Sequence, residues 1–461
     1  MTNTRLLIRG GYVISMDAEV GDVADADLLV EDGRIAYVGA RRDELDSIPD
    51  VLDASERIVI PGLVDGHRHT WEVLLRGVSA DWTLGHYYQG LRRTLAVHYR
   101  PEDLYLANLL GILDALDAGV TTTLDWCHNI NSPEHADAAI EALEDSGSRV
   151  VFGYGNSNDE WLPVSSVPHS EDARRIREEF FASEDRLVTM HLAIRGPQYS
   201  TLDVTAHDIE LARELDLRMS MSVGDGEWGR NGPVRTLFEE GWMGPDIGYV
   251  HCTSLGDDEL QLIAETGGSA VISPDLEAQM WGAPATGRLL ALDVEPSLSV
   301  DCTTSISGDL FGVMRTTLAV ERAIRHDAAT ERGEVLSTLP ITARDVLRLA
   351  TVAGARFCGL EDRVGSISPG KQADIVLVSA DTLAMTPLNN AVGAAVLIAQ
   401  RADVDSVLVA GRFVKRDGLL LDHDLSSLRA KALAARDQVF REAGVEPLVE
   451  WTPPSYVPAP G

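Results

Sequence analysis

The middle of the chain alternates short apolar runs with longer stretches of helical periodicity. Eight runs have the length and composition of buried strands. They are RIVIPGLVD (57–65), GVTTTLDWC (119–127), RVVFGYG (149–155), RLVTMHLAI (186–194), LRMSMSV (217–223), IGYVHC (247–252), GSAVIS (268–273) and SLSVDC (297–302). Helical stretches such as PEDLYLANLLGILDALDAG lie between many of them, and a glycine ends each as a C-cap would. Repeated strand–helix units of this number predict an α/β fold, a (β/α)₈ barrel, with a doubly wound sheet as the alternative.

Both ends of the chain carry a different pattern, that of short strands joined by tight turns. Near the start, DLLVEDGRIAYVG places Asp32-Gly33 between two alternating apolar runs, which is a strong hairpin signal. ADIVLVSA (373–380) and DSVLVAGRFVKRDG (405–418) repeat the pattern near the other end. We therefore expect residues 1–57 and 365–420 to form one small β-sandwich domain around a barrel of residues 58–364. A C-terminal helix and a Pro-rich tail are expected over 421–461.

The excess of acidic residues argues against nucleic acids and anionic membranes as partners. The chain has 461 residues, with 72 acids against 39 bases and a formal net charge of -33, which repels phosphate backbones and anionic membrane surfaces. The four cysteines are far apart, without C-x-x-C spacing, and the N-terminus MTNTRLLIRGG lacks the features of a signal peptide. We expect a cytoplasmic enzyme that acts on a small molecule and binds neither nucleic acid nor membranes.

Polar side chains stand at the carboxyl ends of three predicted strands. The first strand runs into DGHRHT, so that His67 and His69 project to the same side of extended backbone. The sixth strand ends with His251 and the eighth with Asp301. A barrel carries its chemistry at this end, and a buried carboxylate there needs a partner or a cation. The pattern indicates a site at which imidazoles and a carboxylate share one metal ion.

These segments together resemble a known family. PGLVDGHRH followed by these strand ends is similar to the amidohydrolase superfamily, in particular to its aminohydrolase branch of cytosine-deaminase-like, guanine-deaminase-like and triazine-hydrolase-like enzymes. GVTTTLD resembles the second strand of that branch, and GSISPGKQADIVLV (365–378) resembles its return from barrel to β-domain. The resemblance covers nearly the whole chain, and the combination of motifs is specific although each motif alone is weak.

The resemblance implies roles for the residues that match. In that branch two histidines after the first strand, a histidine on the fifth and an aspartate on the eighth hold one divalent metal, which makes hydroxide available near neutral pH. His67, His69 and Asp301 match ligands, and His251 matches the histidine that orients the nucleophile together with the aspartate. Subtypes with two metals need a carboxylated lysine in the barrel, but no lysine precedes Lys371.

The fifth strand departs from the family pattern. Where the branch has His-x-x-Glu, LRMSMSVGDGEW offers SVGD, with Ser222 in the ligand position and Asp225 in the acid/base position. A hydroxyl is a poorer ligand than imidazole for such a metal. His191, in the fourth strand, could supply a further imidazole, but a lone histidine in an apolar strand is more often a core residue.

We therefore expect a weakened site for one divalent metal. Zinc is the expected ion, with iron or manganese as alternatives, and His67, His69 and Asp301 are the expected ligands. Water or His251 would complete the shell. A metal-free pocket is the alternative.

Other substrate-binding candidates lie near the strand ends. They are Trp71, Trp82, His128, Arg195, Gln198, Ser222, Glu277 and Trp281. Loop tryptophans can sandwich a planar ligand, although they are as often packing residues. Arg195 could pair with a substrate oxygen or form a structural ion pair. The cysteines that follow His251 and Asp301 should face away from the site, because neighbours in extended backbone alternate.

The sequence leaves two hypotheses for the reaction, and a third hypothesis in which the protein catalyses no reaction. The first is a metal-dependent hydrolase that acts on a non-peptide carbon–nitrogen bond of a small cyclic or aromatic compound, with Asp225 as proton shuttle and His251 and Asp301 orienting the water. The second keeps the barrel but performs a non-hydrolytic step, as a lyase, cyclase, decarboxylase or isomerase, because Ser222 replaces an imidazole. A non-catalytic relative is the third. Relatives are often oligomers, so a homo-oligomer is expected.

Overall fold

The computed structural model describes residues 5–156, 164–183 and 185–455, and its strands belong to two sheets. In chain order the strands are β1 (Arg5–Ile14), β2 (Asp22–Glu31), β3 (Arg34–Ala40), β4 (Val51–Asp53), β5 (Arg57–Pro61), β6 (Leu63–Arg68), β7 (Val120–Cys127), β8 (Arg149–Tyr154), β9 (Val188–Ala193), β10 (Met219–Val223), β11 (Ile247–His251), β12 (Ser269–Ile272), β13 (Ser297–Leu298), β14 (Ile375–Ser379), β15 (Val404–Val409), β16 (Arg412–Arg416) and β17 (Leu419–Leu420).

The α-helices follow the strand–helix alternation. They are α1 (Leu84–Tyr87), α2 (Pro101–Asp117), α3 (Pro133–Asp145), α4 (Asp172–Glu179), α5 (Gly196–Tyr199), α6 (Leu202–Glu214), α7 (Pro233–Glu239), α8 (Asp257–Glu265), α9 (Pro274–Met280), α10 (Thr286–Leu290), α11 (Leu310–Glu331), α12 (Ala343–Arg348), α13 (Gly354–Phe357), α14 (Ala391–Gly393) and α15 (Leu425–Glu442). Short 3₁₀ or π segments cover Asp43–Leu45, Thr70–Leu75, Tyr88–Leu95, Ala96–His98, Gly226–Gly229, Leu349–Ala353, Ala394–Ile398 and Arg401–Asp403. Part of the predicted Pro-rich tail, residues 456–461, lies outside the described residues.

The barrel consists of β6 to β13 in chain order, with parallel pairing between successive strands. Two backbone hydrogen bonds bring the last and first strands together: His69 N donates to Asp301 O at 2.8 Å, and Asp301 N donates to His67 O at 2.9 Å. The predicted (β/α)₈ barrel is confirmed. Because the strands run parallel, their carboxyl ends meet at one mouth.

The opposite end of the barrel is closed by apolar packing. Val64, Val151 and Val250 form one buried cluster with Phe357 and neighbouring residues of the segment around α13. A Cβ atom on Gly248 would lie 2.7 Å from Cζ of Phe357, so the aromatic ring lies directly against the strand backbone. Apolar side chains fill this end, whereas the polar strand ends line a cavity at the carboxyl mouth.

The first predicted strand, 57–65, is divided between the two sheets, which corrects the sequence interpretation. Arg57–Pro61 pairs with β14 and β1 in the terminal sheet, whereas the barrel strand begins at Leu63. The chain changes sheets at Gly62, where a Cβ atom would lie only 2.0 Å from Oγ1 of Thr121. Such close contact requires glycine.

The second sheet is drawn from both termini, as predicted. Its order is β17-β16-β15-β14-β5-β1-β2-β3, with β4 paired to β1, and its strands form one continuous mixed sheet. A buried ion pair fastens it to the barrel: the Arg149 guanidinium of β8 donates to both oxygens of Asp374 at 2.9 and 3.0 Å. Within the described residues, no helix is long and apolar enough to cross a membrane.

Candidate active site

Asp301 is the centre of a cluster of buried side chains at the barrel mouth. Its Oδ1 lies 3.2 Å from Nε2 of His69 and 3.7 Å from Nε2 of His67, and its Oδ2 lies 3.6 Å from Nε2 of His251. Burial alone would raise the pKa of Asp301, but the hydrogen bond from His69 and the nearby imidazoles lower it to about 2. The three strand ends therefore converge as the sequence indicated, around a carboxylate held in its charged form.

Two of these residues have unusual backbone conformations. His251 has φ 75° and Asp301 has φ 66°, in the left-handed region that non-glycine residues rarely adopt. Both are at or just past the end of a short strand, where the chain turns out of the barrel. Backbone strain of this kind is often found at functional sites.

The donor set fits a divalent metal. His67, His69 and Asp301 each offer one ligand atom, and these atoms lie within 4.8 Å of one another. His69 Nδ1 donates to the carbonyl of Trp126 at 2.7 Å, so Nε2 is the ring nitrogen that faces Asp301 and that a metal would bind in place of its proton. His67 Nδ1 is buried with no hydrogen-bond partner among the described residues, and burial lowers the pKa of His67 well below its usual range. Two imidazole nitrogens beside a carboxylate are suitable ligands for such an ion.

A second group, His69, Glu72 and His128, also places ligand atoms close together. The Trp71 indole N–H donates to His128 Nδ1 at 3.0 Å, so the neutral His128 ring carries its proton on Nε2 and presents no lone pair there. Glu72 Oε1 accepts from the Tyr87 hydroxyl at 2.6 Å, and burial raises the pKa of Glu72 to about 7. These hydrogen bonds hold Glu72 and His128 in place beside His69. The His128 ring stacks on the His69 ring with a centroid distance of 4.0 Å and so supports it.

Glu277 lies behind His251. Its Oε1 is 3.1 Å from His251 Nδ1 and accepts from the backbone N–H of Ser273 at 2.8 Å. Burial opposes a charged imidazole, but Glu277, Asp225 and Asp301 raise the pKa of His251 to about 9. The sequence interpretation made Glu277 a substrate contact; the structure places it outside the cavity, where it can orient His251.

The two serines of β10 have different surroundings. Ser220 is buried and accepts from the Trp126 indole N–H at 2.9 Å, so it supports the tryptophan whose carbonyl holds His69. Ser222 is partly exposed and lines the cavity. Ser222 therefore belongs to the cavity, whereas Ser220 has a structural contact.

Asp225 also lines the cavity and is almost fully buried. Its Oδ2 accepts from the Tyr199 hydroxyl, while Oδ1 has no hydrogen-bond partner among the described residues. Burial raises the pKa of Asp225, although His251, Tyr199 and the Gln198 side chain favour its charged form. A carboxyl with a raised pKa and one unoccupied oxygen is suited to carry a proton.

Only some of the residues predicted to bind substrate line the cavity. His128, Arg195, Ser222 and Trp281 line it, opposite apolar side chains such as Leu276. Arg195 is held by Ser165 Oγ at 2.8 Å and Val167 O at 3.0 Å.

The remaining candidates lie outside the cavity lining. Trp71 is fully buried against His128, and Trp82 donates to Trp451 O at 3.0 Å. Gln198 accepts from the backbone N–H of Gly224 at 2.8 Å. His191 is a buried residue that contacts the backbone of Cys358 and does not join the metal cluster.

Sequence reasoning missed several cavity residues. Tyr88 and Arg92 come from the segment between β6 and α2, and Tyr199 comes from α5. Arg92 is a buried guanidinium that donates to the His128 carbonyl at 2.8 Å. Tyr88 and Arg92 of LGHYYQGLRR were the available signal. Cys302 also lines the cavity, which corrects the expectation that it faces away, because the left-handed backbone at Asp301 breaks strand alternation.

A (β/α)₈ barrel with this mouth, with residues that fit a divalent metal and a buried carboxyl of raised pKa beside them, defines a metal-dependent hydrolase. The chain belongs to the amidohydrolase family, whose model matches residues 58–414. It is 27% identical over 461 residues to a 5-methylthioadenosine/S-adenosylhomocysteine deaminase of Symbiobacterium thermophilum, an alignment that covers 95% of this chain and all of the relative. It is accordingly an enzyme that hydrolyses carbon–nitrogen bonds other than peptide bonds.

Solved structures share the whole fold. An adenosine deaminase of Xanthomonas campestris with bound zinc superposes with a TM-score of 0.83 at 25% identity, covering 95% of this chain and 98% of that one. An atrazine chlorohydrolase of Arthrobacter aurescens complexed with zinc superposes with a TM-score of 0.81 at 22% identity, covering 94% and 100%. The second likeness is one of fold alone.

Proposed function

We propose that this chain is a zinc-dependent aminohydrolase that removes the amino group from a ring amidine carbon of an aromatic nitrogen heterocycle, with adenosine-type compounds as the first candidates. The observation that carries the proposal is the position of Asp225, which shares one cavity with His251 and Asp301. The deaminase relatives and the zinc in the adenosine deaminase of Xanthomonas campestris support the substrate class and the metal.

His67, His69 and Asp301 would hold the metal. When bound, a divalent metal lowers the pKa of water so that hydroxide is available near neutral pH. His251 and Asp301 orient the attacking oxygen from the β11 and β13 side, and Glu277 fixes the His251 ring. Ser222 lines the same cavity and offers the metal only a weak hydroxyl donor.

Asp225 moves the proton. A new carbon–oxygen bond forms at the amidine carbon as the Asp225 carboxylate accepts a proton from the attacking water. The same carboxyl then donates that proton to the amino nitrogen, the carbon–nitrogen bond breaks and ammonia leaves. The aromatic side chains of the cavity, among them Trp281 and Tyr88, supply flat surfaces for a planar ring.

The test is ammonia release by zinc-reconstituted protein from a panel of aminated heterocycles. The panel contains adenosine, 5′-deoxyadenosine, 5-methylthioadenosine, S-adenosylhomocysteine, cytosine, guanine and aminotriazines. We expect at least one to lose ammonia and to gain one oxygen from ¹⁸O-labelled water. Asp225→Asn should retain zinc and lose activity by about 10²-fold or more. The matched control is Asp208→Asn, at a buried carboxylate that accepts from His169 N away from the cavity.

No ammonia from any member of the panel would overturn the proposed substrate class. Turnover without incorporation of solvent oxygen would instead identify a non-hydrolytic reaction.

A further inference from the structure

The Asp225 carboxyl is held by a short helix that follows the neighbouring strand. Helix α5 begins at Gly196, which has φ 65° and whose Cβ would lie 2.6 Å from Sδ of Met221. The chain therefore turns sharply against β10 at a position that favours glycine. This turn carries Gln198 and Tyr199 to the end of β10.

Both residues hold the end of β10. Gln198 Oε1 accepts from the backbone N–H of Gly224 at 2.8 Å, which fixes the peptide just before Asp225. The Tyr199 hydroxyl donates to Asp225 Oδ2, and burial raises the pKa of Tyr199 well above its usual value, so the phenol keeps its proton. The two oxygens of Asp225 therefore differ, because Oδ2 accepts the short hydrogen bond from Tyr199, whereas the buried Oδ1 has no hydrogen bond of normal geometry among the described residues and the Gln198 side chain adds only a weaker stabilisation of the carboxylate.

A second tyrosine, Tyr88, contacts Tyr199. The Tyr88 hydroxyl is a hydrogen-bond partner of Tyr199, and its ring stacks on Trp228 at 4.9 Å. A phenol that donates to a carboxylate can still accept a hydrogen bond from another hydroxyl. Tyr88, Tyr199 and Asp225 all line the cavity, so the row of groups lies along its wall.

We propose that Tyr199 is a positioning residue that makes Oδ1 the proton-carrying oxygen of Asp225. Because the Tyr199 hydroxyl donates to Oδ2, that oxygen remains a hydrogen-bond acceptor. Oδ1 is then the oxygen directed toward the reacting atoms. The proposal rests on the proposed function, in which Asp225 transfers the proton. The other charged or titratable groups that act on this carboxyl are His251 on β11 and Asp301 after β13, and neither makes a direct hydrogen bond to it among the described residues.

Tyr199→Phe tests the proposal, since it removes one hydroxyl and keeps the ring. We expect kcat to fall about 10- to 100-fold with KM changed less than about threefold, because one hydrogen bond to a charged acceptor is lost. The acid limb of the kcat/KM profile should move to higher pH, because the charged form of Asp225 loses a donor. Tyr88→Phe should produce a smaller change in the same direction.

The matched control is Tyr154→Phe, which removes a buried tyrosine hydroxyl bound to Asp172 at 3.1 Å, away from the cavity. It should leave kcat and the pH profile as in the wild type. Circular dichroism and thermal unfolding establish that each variant is folded.

A second readout needs no substrate. Infrared difference spectra recorded between two pH values show the carbonyl band of a protonated carboxyl. The band that is present in the wild type and absent in Asp225→Asn is assigned to Asp225. In Tyr199→Phe this band should appear at higher pH than in the wild type. An unmoved band, or a lower kcat with an unmoved acid limb, would assign Tyr199 a merely structural role and overturn the proposal. If the wild type released no ammonia, the proposed function would fail, while the infrared titration would still test the contact.

Discussion

The Nδ1 atom of His251 lies 3.1 Å from Oε1 of Glu277, and no part of Glu277 is exposed to solvent. The same oxygen accepts from the backbone N–H of Ser273, so the carboxylate is held by the start of α9. This contact fixes the ring of His251 with Nε2 toward Asp301. It explains why a buried acid follows the seventh barrel strand.

Glu277→Gln should lower kcat/KM about 10- to 100-fold, because a neutral amide orients the imidazole less firmly and removes the charge that favours its protonated form. Steady-state kinetics on the zinc-loaded protein measures the effect. Glu259→Gln is the matched control, since that buried carboxylate accepts from the backbone N–H groups of Val234 and Arg235 outside the cavity. Equal activity in Glu277→Gln and wild type would refute the orienting role.

Ser222→His should tighten metal binding by about tenfold or more, because imidazole is a much better donor than a hydroxyl. Competition with a fluorescent chelator measures the Kd. Ser222→Ala should bind the metal within about threefold of the wild type. An unchanged Kd in Ser222→His would show that Ser222 does not stand at the ligand position.

Because His191 is buried, we expect the free energy of unfolding to fall in acid. Burial lowers its pKa to about 3 from an ordinary value of 6.5. The folded state therefore holds a neutral imidazole where the unfolded state is protonated, and the contribution of His191 to stability, full above pH 6.5, is lost as pH falls toward 3. Between pH 6.5 and 4.5 we expect a loss on the order of 2–3 kcal/mol from this residue.

Urea unfolding across that range should show a smaller loss in His191→Gln, which keeps a donor for the Cys358 carbonyl. The same substitution at the exposed His326 is the control for the loss of an imidazole at the surface. Parallel curves for His191→Gln and the wild type would contradict the assignment.

Asp374→Asn should destabilise the protein by about 3–5 kcal/mol, because it leaves the buried Arg149 guanidinium without its counter-charge. Chemical unfolding followed by fluorescence measures the difference. Glu31→Gln breaks a partly exposed pair with Arg5 and should cost about 1 kcal/mol or less. Similar small losses at both positions would show that the buried pair contributes little to the contact between the two sheets.

The sequence predicted the barrel well because each strand is a compact apolar run, and parallel strands bring their carboxyl ends together whatever the loops do. That geometry placed His67, His69, His251 and Asp301 in one cluster. The division of the first run at Gly62 was not predictable, because it depends on a close contact with Thr121 that only the folded chain contains.

The loop side chains were predicted less well, because irregular backbone decides where they lie. Trp71 belongs to a 3₁₀ segment and packs inward, and Trp82 contacts the C-terminal stretch at Trp451. Cys302 follows a residue in the left-handed region, so strand alternation no longer applies. Tertiary packing sets these positions, and no periodicity in the sequence reports it.

The most direct test of the whole account is elemental analysis of the protein after reconstitution and removal of free metal. We predict about one divalent metal ion per chain in the wild type, and its loss in His69→Ala and Asp301→Asn when both variants remain folded. A wild-type protein that retains no metal, or variants that retain as much as the wild type, would contradict it.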